Sequence, residues 1–121
     1  MSRLDDIRKL QDPTKHFAIA VIRFYSELPK TEPARVIGRQ LLRSGTSLAA
    51  NYRAVCRARS SADFVSKINI VVEETDETLF WLEPLVEANL VSAEAIGTLN
   101  EEGNELLRFF SASLTTAKAN R

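Results

Sequence analysis

The 121-residue sequence contains one cysteine, one histidine, four glycines and four prolines. A lone Cys56 excludes an internal disulfide framework and any cysteine-rich metal cluster. A lone His16 excludes multi-histidine zinc ligation and leaves no base for a Ser-His or Cys-His nucleophile. No glycine-rich loop is spaced to cradle a phosphate, and no nucleophile stands at a recognisable distance from a base, so no catalytic residue is nominated and an enzyme is not expected. Neither a metal nor another cofactor is expected. No run reaches the roughly 18 apolar residues of a membrane span. The opening stretch, MSRLDDIRKLQDPTKH, is charged throughout and lacks the apolar centre of a signal peptide. A cytoplasmic protein is the expectation. No segment alternates polar and apolar residues between turn signals, so no strand is predicted.

What is present is an ordinary globular balance, 45% hydrophobic and 26% charged, with 16 basic and 16 acidic side chains. The zero net charge hides a segregation. Residues 1–60 carry twelve basic and five acidic side chains, a net of +7, and residues 61–121 carry four and eleven, a net of −7. A chain polarised in this way either pairs its halves or presents one of them to a partner.

Helix punctuation predicts four helices in one domain spanning 1–121, over about 13–28, 33–58, 61–88 and 92–117. Asp12-Pro13 reads as an N-cap followed by proline at the first helical position. Thr31 or Glu32 before Pro33 opens the second helix, Ser60 with Asp63 forms a capping-box-like start for the third, and Ser92 starts the fourth. Short connections make consecutive helices antiparallel, hence an all-α up-down-up-down four-helix bundle. On the third helix Phe64, Val65, Ile68, Val71, Val72, Thr75, Leu79, Leu82, Val86 and Leu90 fall within about 120° and form the core face. Ile70 and Trp81 lie off that face and are the candidate oligomer-interface residues. Pro84 removes a backbone hydrogen bond near the end of this helix and is read as a tolerated kink.

The second helix carries the most informative pattern. No acidic residue stands between Glu32 and Asp63, and Arg35, Arg39, Arg43, Arg53 and Arg57 project within roughly 80° of one another. Five guanidiniums on one face repel each other unless anions meet them. The anions could be phosphates, which suit the guanidinium fork, or the carboxylates of Glu73, Glu74, Asp76, Glu77, Glu83 and Glu87 on the third helix. No stacking aromatic residue interleaves with the arginines, and Tyr52 faces the core side, so the signal for single-strand recognition is weak. Ser44, Ser47 and Asn51 form a polar line beside Gly45 and Ala50. Ser47, Asn51, Asp63 and Glu77 are the candidate structural hydrogen-bond network, with Glu77 as the partner proposed for Asn51. Cys56 is read as a small buried hydrophobe, and His16 as half exposed and without a role.

The run from Gly38 to Val91, GRQLLRSGTSLAANYRAVCRARSSADFVSKINIVVEETDETLFWLEPLVEANLV, resembles a known family. The Ser47–Asn51 element Ser-Leu-Ala-Ala-Asn, the Asp63-Phe64 pair and Glu77 match the four-helix-bundle proteins first described as encoded in intervening sequences of bacterial 23S ribosomal RNA genes. The resemblance extends from about Phe17 to Leu114. Tyr52-Arg53-Ala54-Val55 looks like an arginine-rich branch of that family, with Ala54 where a glutamate often stands. The resemblance implies an antiparallel four-helix bundle that assembles into a ring-shaped homopentamer. The family includes the accessory variability determinant of diversity-generating retroelements, a basic member that binds nucleic acid and a reverse transcriptase.

Two functions stay open at this point. In one, the chain is a non-enzymatic, self-associating accessory factor whose arginine stripe binds structured RNA or DNA. In the other, it is a scaffold for an unidentified protein partner, and the arginines form structural ion pairs with the acidic third helix. No membrane partner is expected in either.

Overall fold

Proline and hydroxyl caps set most of the boundaries in the computed structural model, which describes residues 3–120 and places no strand among them. The chain starts with a short helix α1 (Arg3–Lys9), followed after Leu10 by α2 (Gln11–Ser26). Pro13 explains the break: it has no N–H for the Lys9 carbonyl, and its ring crowds that oxygen. The expected Asp12 cap is therefore corrected. Leu10 takes the cap position with no side-chain hydrogen bond, and Asp12 lies inside the first turn, where its charge still suits the helix dipole.

Helix α3 (Glu32–Val55) has Pro33 in its first turn and ends three residues short of the sequence expectation, so Arg57 belongs to the turn that follows. Helix α4 (Ser61–Glu87) is capped by Ser60, whose hydroxyl accepts the Asp63 N–H at 3.0 Å. It closes on Asn89, held at φ 59°. The Leu90 N–H reaches back to the Leu85 carbonyl at 2.9 Å and the Asn89 N–H to Val86 at 2.9 Å, the paired bonds of a Schellman turn. One 3₁₀ turn (Glu94–Ile96), anchored by the Ala95 N–H on Ser92 Oγ at 3.1 Å, leads into α5 (Gly97–Ala119).

Helices α2 to α5 form a four-helix bundle in which each packs along the next, while α2 and α5 meet only lightly. The buried residues of α4 are Val65, Ile68, Val71, Thr75, Thr78, Leu79, Leu82 and Leu85. Ile68, Thr75 and Leu82 are seven apart, and so are Val71, Thr78 and Leu85. A strict seven-residue repeat drifts by about 20° per heptad on a straight 3.6-residue helix. That drift brings Thr78 and Leu85 into the core and leaves Phe64, Val72, Val86 and Leu90 half-buried at its margin.

At the centre, Tyr52 and Phe110 are fully buried with ring centroids 5.0 Å apart. The Tyr52 hydroxyl donates to the Ile7 carbonyl, fastening α1 to α3. Three glycines allow close approach. A Cβ at Gly45 would lie 2.8 Å from Val21 Cγ1, one at Gly38 2.7 Å from Leu28 Cδ1, and one at Gly103 2.7 Å from Leu79 Cδ2. Between α3 and α4 the Thr78 hydroxyl donates to Ser44 Oγ at 2.9 Å, and Ser44 donates in turn to the Gln40 carbonyl at 3.1 Å. Both hydroxyls are fully buried and both are satisfied, as burial of a polar group requires.

Candidate nucleic-acid interface

Arg35, Arg39, Arg43, Arg53 and Arg57 are all exposed. At 1.5 Å per residue, Arg35 to Arg53 spans about 27 Å of α3. Of these five, only Arg43 forms an ion pair among the described residues. Its guanidinium bonds Glu77 and lies 3.4 Å from both Glu74 oxygens on α4. The hydrogen bond that it donates to the Glu77 carboxylate raises the Arg43 pKa above its ordinary value. The remaining four arginines are exposed and have no carboxylate ion pair among the described residues, so α4 neutralises one position of the stripe.

The seam between α2 and α3 adds cations to that face. Lys15 and Arg53 share a groove with Gln11 and Asp12. Lys30, Arg35 and Arg39 share another where α2 turns into α3. The α2–α5 side differs in character. Its two grooves, of about 370 and 540 Å³, have apolar floors that include Phe17, Phe24 and Leu106, with Glu27, Glu102 and Glu105 at the edges. Arg23 lines the larger of the two beside Glu27, so charge is mixed on that side.

The four residues expected to form one polar network belong to separate arrangements. Asn51 donates to the Ser47 carbonyl at 2.9 Å and to Ser47 Oγ at 3.0 Å, within its own helix. Glu77 is not its partner. The Glu77 carboxylate accepts the Trp81 indole N–H at 3.1 Å and the Arg43 guanidinium. These bonds, the indole's foremost, hold its carboxyl below the usual carboxylate range. Asp63 accepts Lys67 Nζ at 2.9 Å and the Arg59 N–H at 3.1 Å, which lower its pKa and complete the start of α4.

Ile70 is exposed, as its angle on α4 implies. Trp81 is half-buried, packed on the core edge and fixed by Glu77. Phe80, unnoticed in the sequence, is the more exposed aromatic at 51%, and it meets Trp81 edge-on at 4.9 Å. His16 is exposed rather than half-exposed. Cys56 is buried, and burial pushes its thiol pKa up, which suits a packing role. No His, Cys, Asp and Glu group among the described residues could hold a metal ion.

With this geometry in view, the comparisons decide the kinship. The family model for the 23S rRNA-intervening sequence protein matches residues 9–112. The chain belongs to that family. The crystal structure of a protein with unknown function from the S23 ribosomal protein family of Bacteroides thetaiotaomicron is 32% identical. It aligns over 87% of this chain and 97% of its own, with a TM-score of 0.80. Among curated proteins none matches the sequence. The descriptions of the family and of this solved structure name no activity. Among the described residues no helix is long and apolar enough to cross a membrane.

Proposed function

We propose that this family member is a non-enzymatic, self-associating cytoplasmic factor that binds structured RNA or DNA through the α3 arginines. The supporting observation is that Arg35, Arg39 and Arg53 on one face of α3, and Arg57 in the turn after it, are exposed with no carboxylate ion pair among the described residues. Four like charges along one surface are stabilised when an external polyanion binds them and releases its condensed cations to solution, and phosphate is an anion that the guanidinium fork fits bidentately. Binding of this type follows backbone charge and is largely indifferent to base sequence.

Assembly is part of the same reading. Ile70, Phe80 and Trp81 give α4 an apolar outer surface next to its carboxylates, which suits contact with another copy, and the resemblance implies a ring of five. The Arg43–Glu74–Glu77 cluster favours a second reading, in which arginine–carboxylate pairs hold a scaffold for a protein partner. One experiment separates the two. Protein stripped of nucleic acid is titrated against a labelled structured RNA by anisotropy at 50 and 200 mM salt, with light scattering for particle mass. The double variant Arg39→Glu/Arg53→Glu should lose RNA binding and keep the wild-type mass. Loss of mass instead would assign these arginines to subunit contacts, and absence of wild-type binding at 50 mM salt would end the nucleic-acid reading.

A further inference from the structure

We infer that the α2–α3 turn holds a seat for one unpaired nucleotide, with Tyr25 as the stacking surface and Lys30, Arg35 and Arg39 as the phosphate ligands. The inference rests on the nucleic-acid reading above and narrows it to single-stranded segments.

A cavity of about 280 Å³ opens at this turn, and Tyr25, Ser26, Pro29, Lys30, Arg35 and Arg39 are among the residues that line it. Its size falls just below the roughly 300–1,000 Å³ of typical small-molecule sites, which suits a single base and not a duplex. The Tyr25 ring is seated directly on the backbone of α3. A Cβ at Gly38 would stand 3.1 Å from two of its ring carbons, so only glycine lets the ring lie so close. Positions 35, 38 and 39 lie within about one turn of α3, so Arg35 and Arg39 line the same cavity as the ring. Lys30 enters from the connecting loop.

No ion pair among the described residues engages Lys30, Arg35 or Arg39. The neighbouring Glu27 lines the groove on the α5 side of α2, and Glu32 does not line the cavity. Ser26 donates its hydroxyl proton to the Ile22 carbonyl at 3.0 Å, leaving its lone pairs free to accept. An aromatic plate flanked by three cations is the pairing that single strands use: a base face meets the ring while its phosphates meet the guanidiniums. A duplex keeps its base faces stacked inside and cannot use the plate. An acidic peptide could meet the cations but would leave the ring idle.

The chain has two tyrosines, and the second, Tyr52, is fully buried. Protein labelled with 3-fluorotyrosine therefore gives a reporter and an internal reference in one ¹⁹F spectrum. Uridine 5′-monophosphate and an oligo(U) octamer should move the Tyr25 line saturably and leave the Tyr52 line in place, and inorganic phosphate should move neither. Tyr25→Leu should weaken octamer binding by about fivefold or more and leave binding of a blunt RNA duplex unchanged. Arg35→Ala/Arg39→Ala, which alters only exposed side chains, should weaken both. The seat is refuted, with the nucleic-acid reading intact, if both RNAs bind and Tyr25→Leu has no effect or the Tyr25 line stays still. If neither RNA binds wild type, both inferences fall. Equal binding of a Glu octamer would overturn the assignment to nucleotides.

Discussion

Removing a carboxylate from this protein should strengthen its hold on nucleic acid. Arg43 lies on the same stripe as Arg35, Arg39, Arg53 and Arg57, but Glu74 and Glu77 occupy its guanidinium. Wild type therefore offers four unengaged arginines on this helix and the turn after it, and a duplex that contacts all four should bind with a log–log salt slope of about −3.6. Between 50 and 200 mM salt that slope loses about 150-fold in affinity. The double variant Glu74→Gln/Glu77→Gln frees a fifth guanidinium, which steepens the slope to about −4.5 and the loss to about 500-fold, with tighter binding at the low-salt end. Arg39→Ala should do the opposite, with a slope near about −2.7 and a loss of about 40-fold. Arg43→Ala should leave the slope where it is, because that side chain makes no phosphate contact in wild type. The pairs are partly exposed, so breaking them should cost at most about 1 kcal/mol and leave the fold intact. The assay is anisotropy of a labelled duplex at four salt concentrations, with circular dichroism to confirm folding. If the slope responds equally to Arg39→Ala and Arg43→Ala, or if the glutamine variant binds no tighter, the assignment of free and engaged arginines is wrong.

The glycines and Glu77 give further expectations. Gly45→Ala should destabilise by about 1–2 kcal/mol in urea unfolding, because crowding against the branched Val21 side chain outweighs the roughly 1 kcal/mol gain in helix propensity. Gly97→Ala, with no atom within 4 Å of its added carbon, should instead gain up to about 1 kcal/mol, and equal shifts for the two would refute the close approach of α2 to α3. The Glu77 carboxyl is depressed in the folded state, so its contribution to stability is present above the ordinary value of 4.5 and is lost as pH falls through the lower folded value. Unfolding at pH 5 and pH 3, followed through the single tryptophan, should show a smaller loss for Glu77→Gln than for wild type, and identical losses would contradict the role given to the Trp81 and Arg43 bonds.

Much of the fold could be read from local chemistry. Ser60 with Asp63, Pro33 in a first turn and the arginine spacing are short-range signals, and each acts where its residues stand. The departures came where a signal depends on distance or on drift. The arc drawn for α4 assumed 100° per residue throughout and so missed Thr78 and Leu85, which a seven-residue repeat carries into the core. The break at Leu10 was hidden because Pro13 suits a helix start and equally stops a helix that comes before it. The Asn51–Glu77 pairing failed because Ser47, four residues back, satisfies the amide locally. On the basic face the stripe was visible, but which arginine was neutralised was not, since that depends on how α4 sits against α3. Tyr25 escaped notice for the same reason. It stands on α2, and only the packing over Gly38 brings it beside Arg35 and Arg39.

The two glycines of the α2–α3 seam have a consequence for measurement. Val21 on α2 sits over Gly45, and Leu28 in the turn after α2 sits over Gly38, so the steps are seven residues along each segment, in opposite directions. The joint is keyed at both ends. A slide of one heptad would carry Leu28 past the start of α3 in one direction and set Val21 against Tyr52 in the other, and a shorter slide would drive both into positions that carry side chains. The cation pair Lys15 and Arg53 and the trio Lys30, Arg35 and Arg39 therefore keep a constant separation, with Arg39 and Arg53 about 21 Å apart along the helix. The seam works as a gauge block: a polyanion whose charges repeat at that interval lies flat along it, and one with a different repeat has to bend.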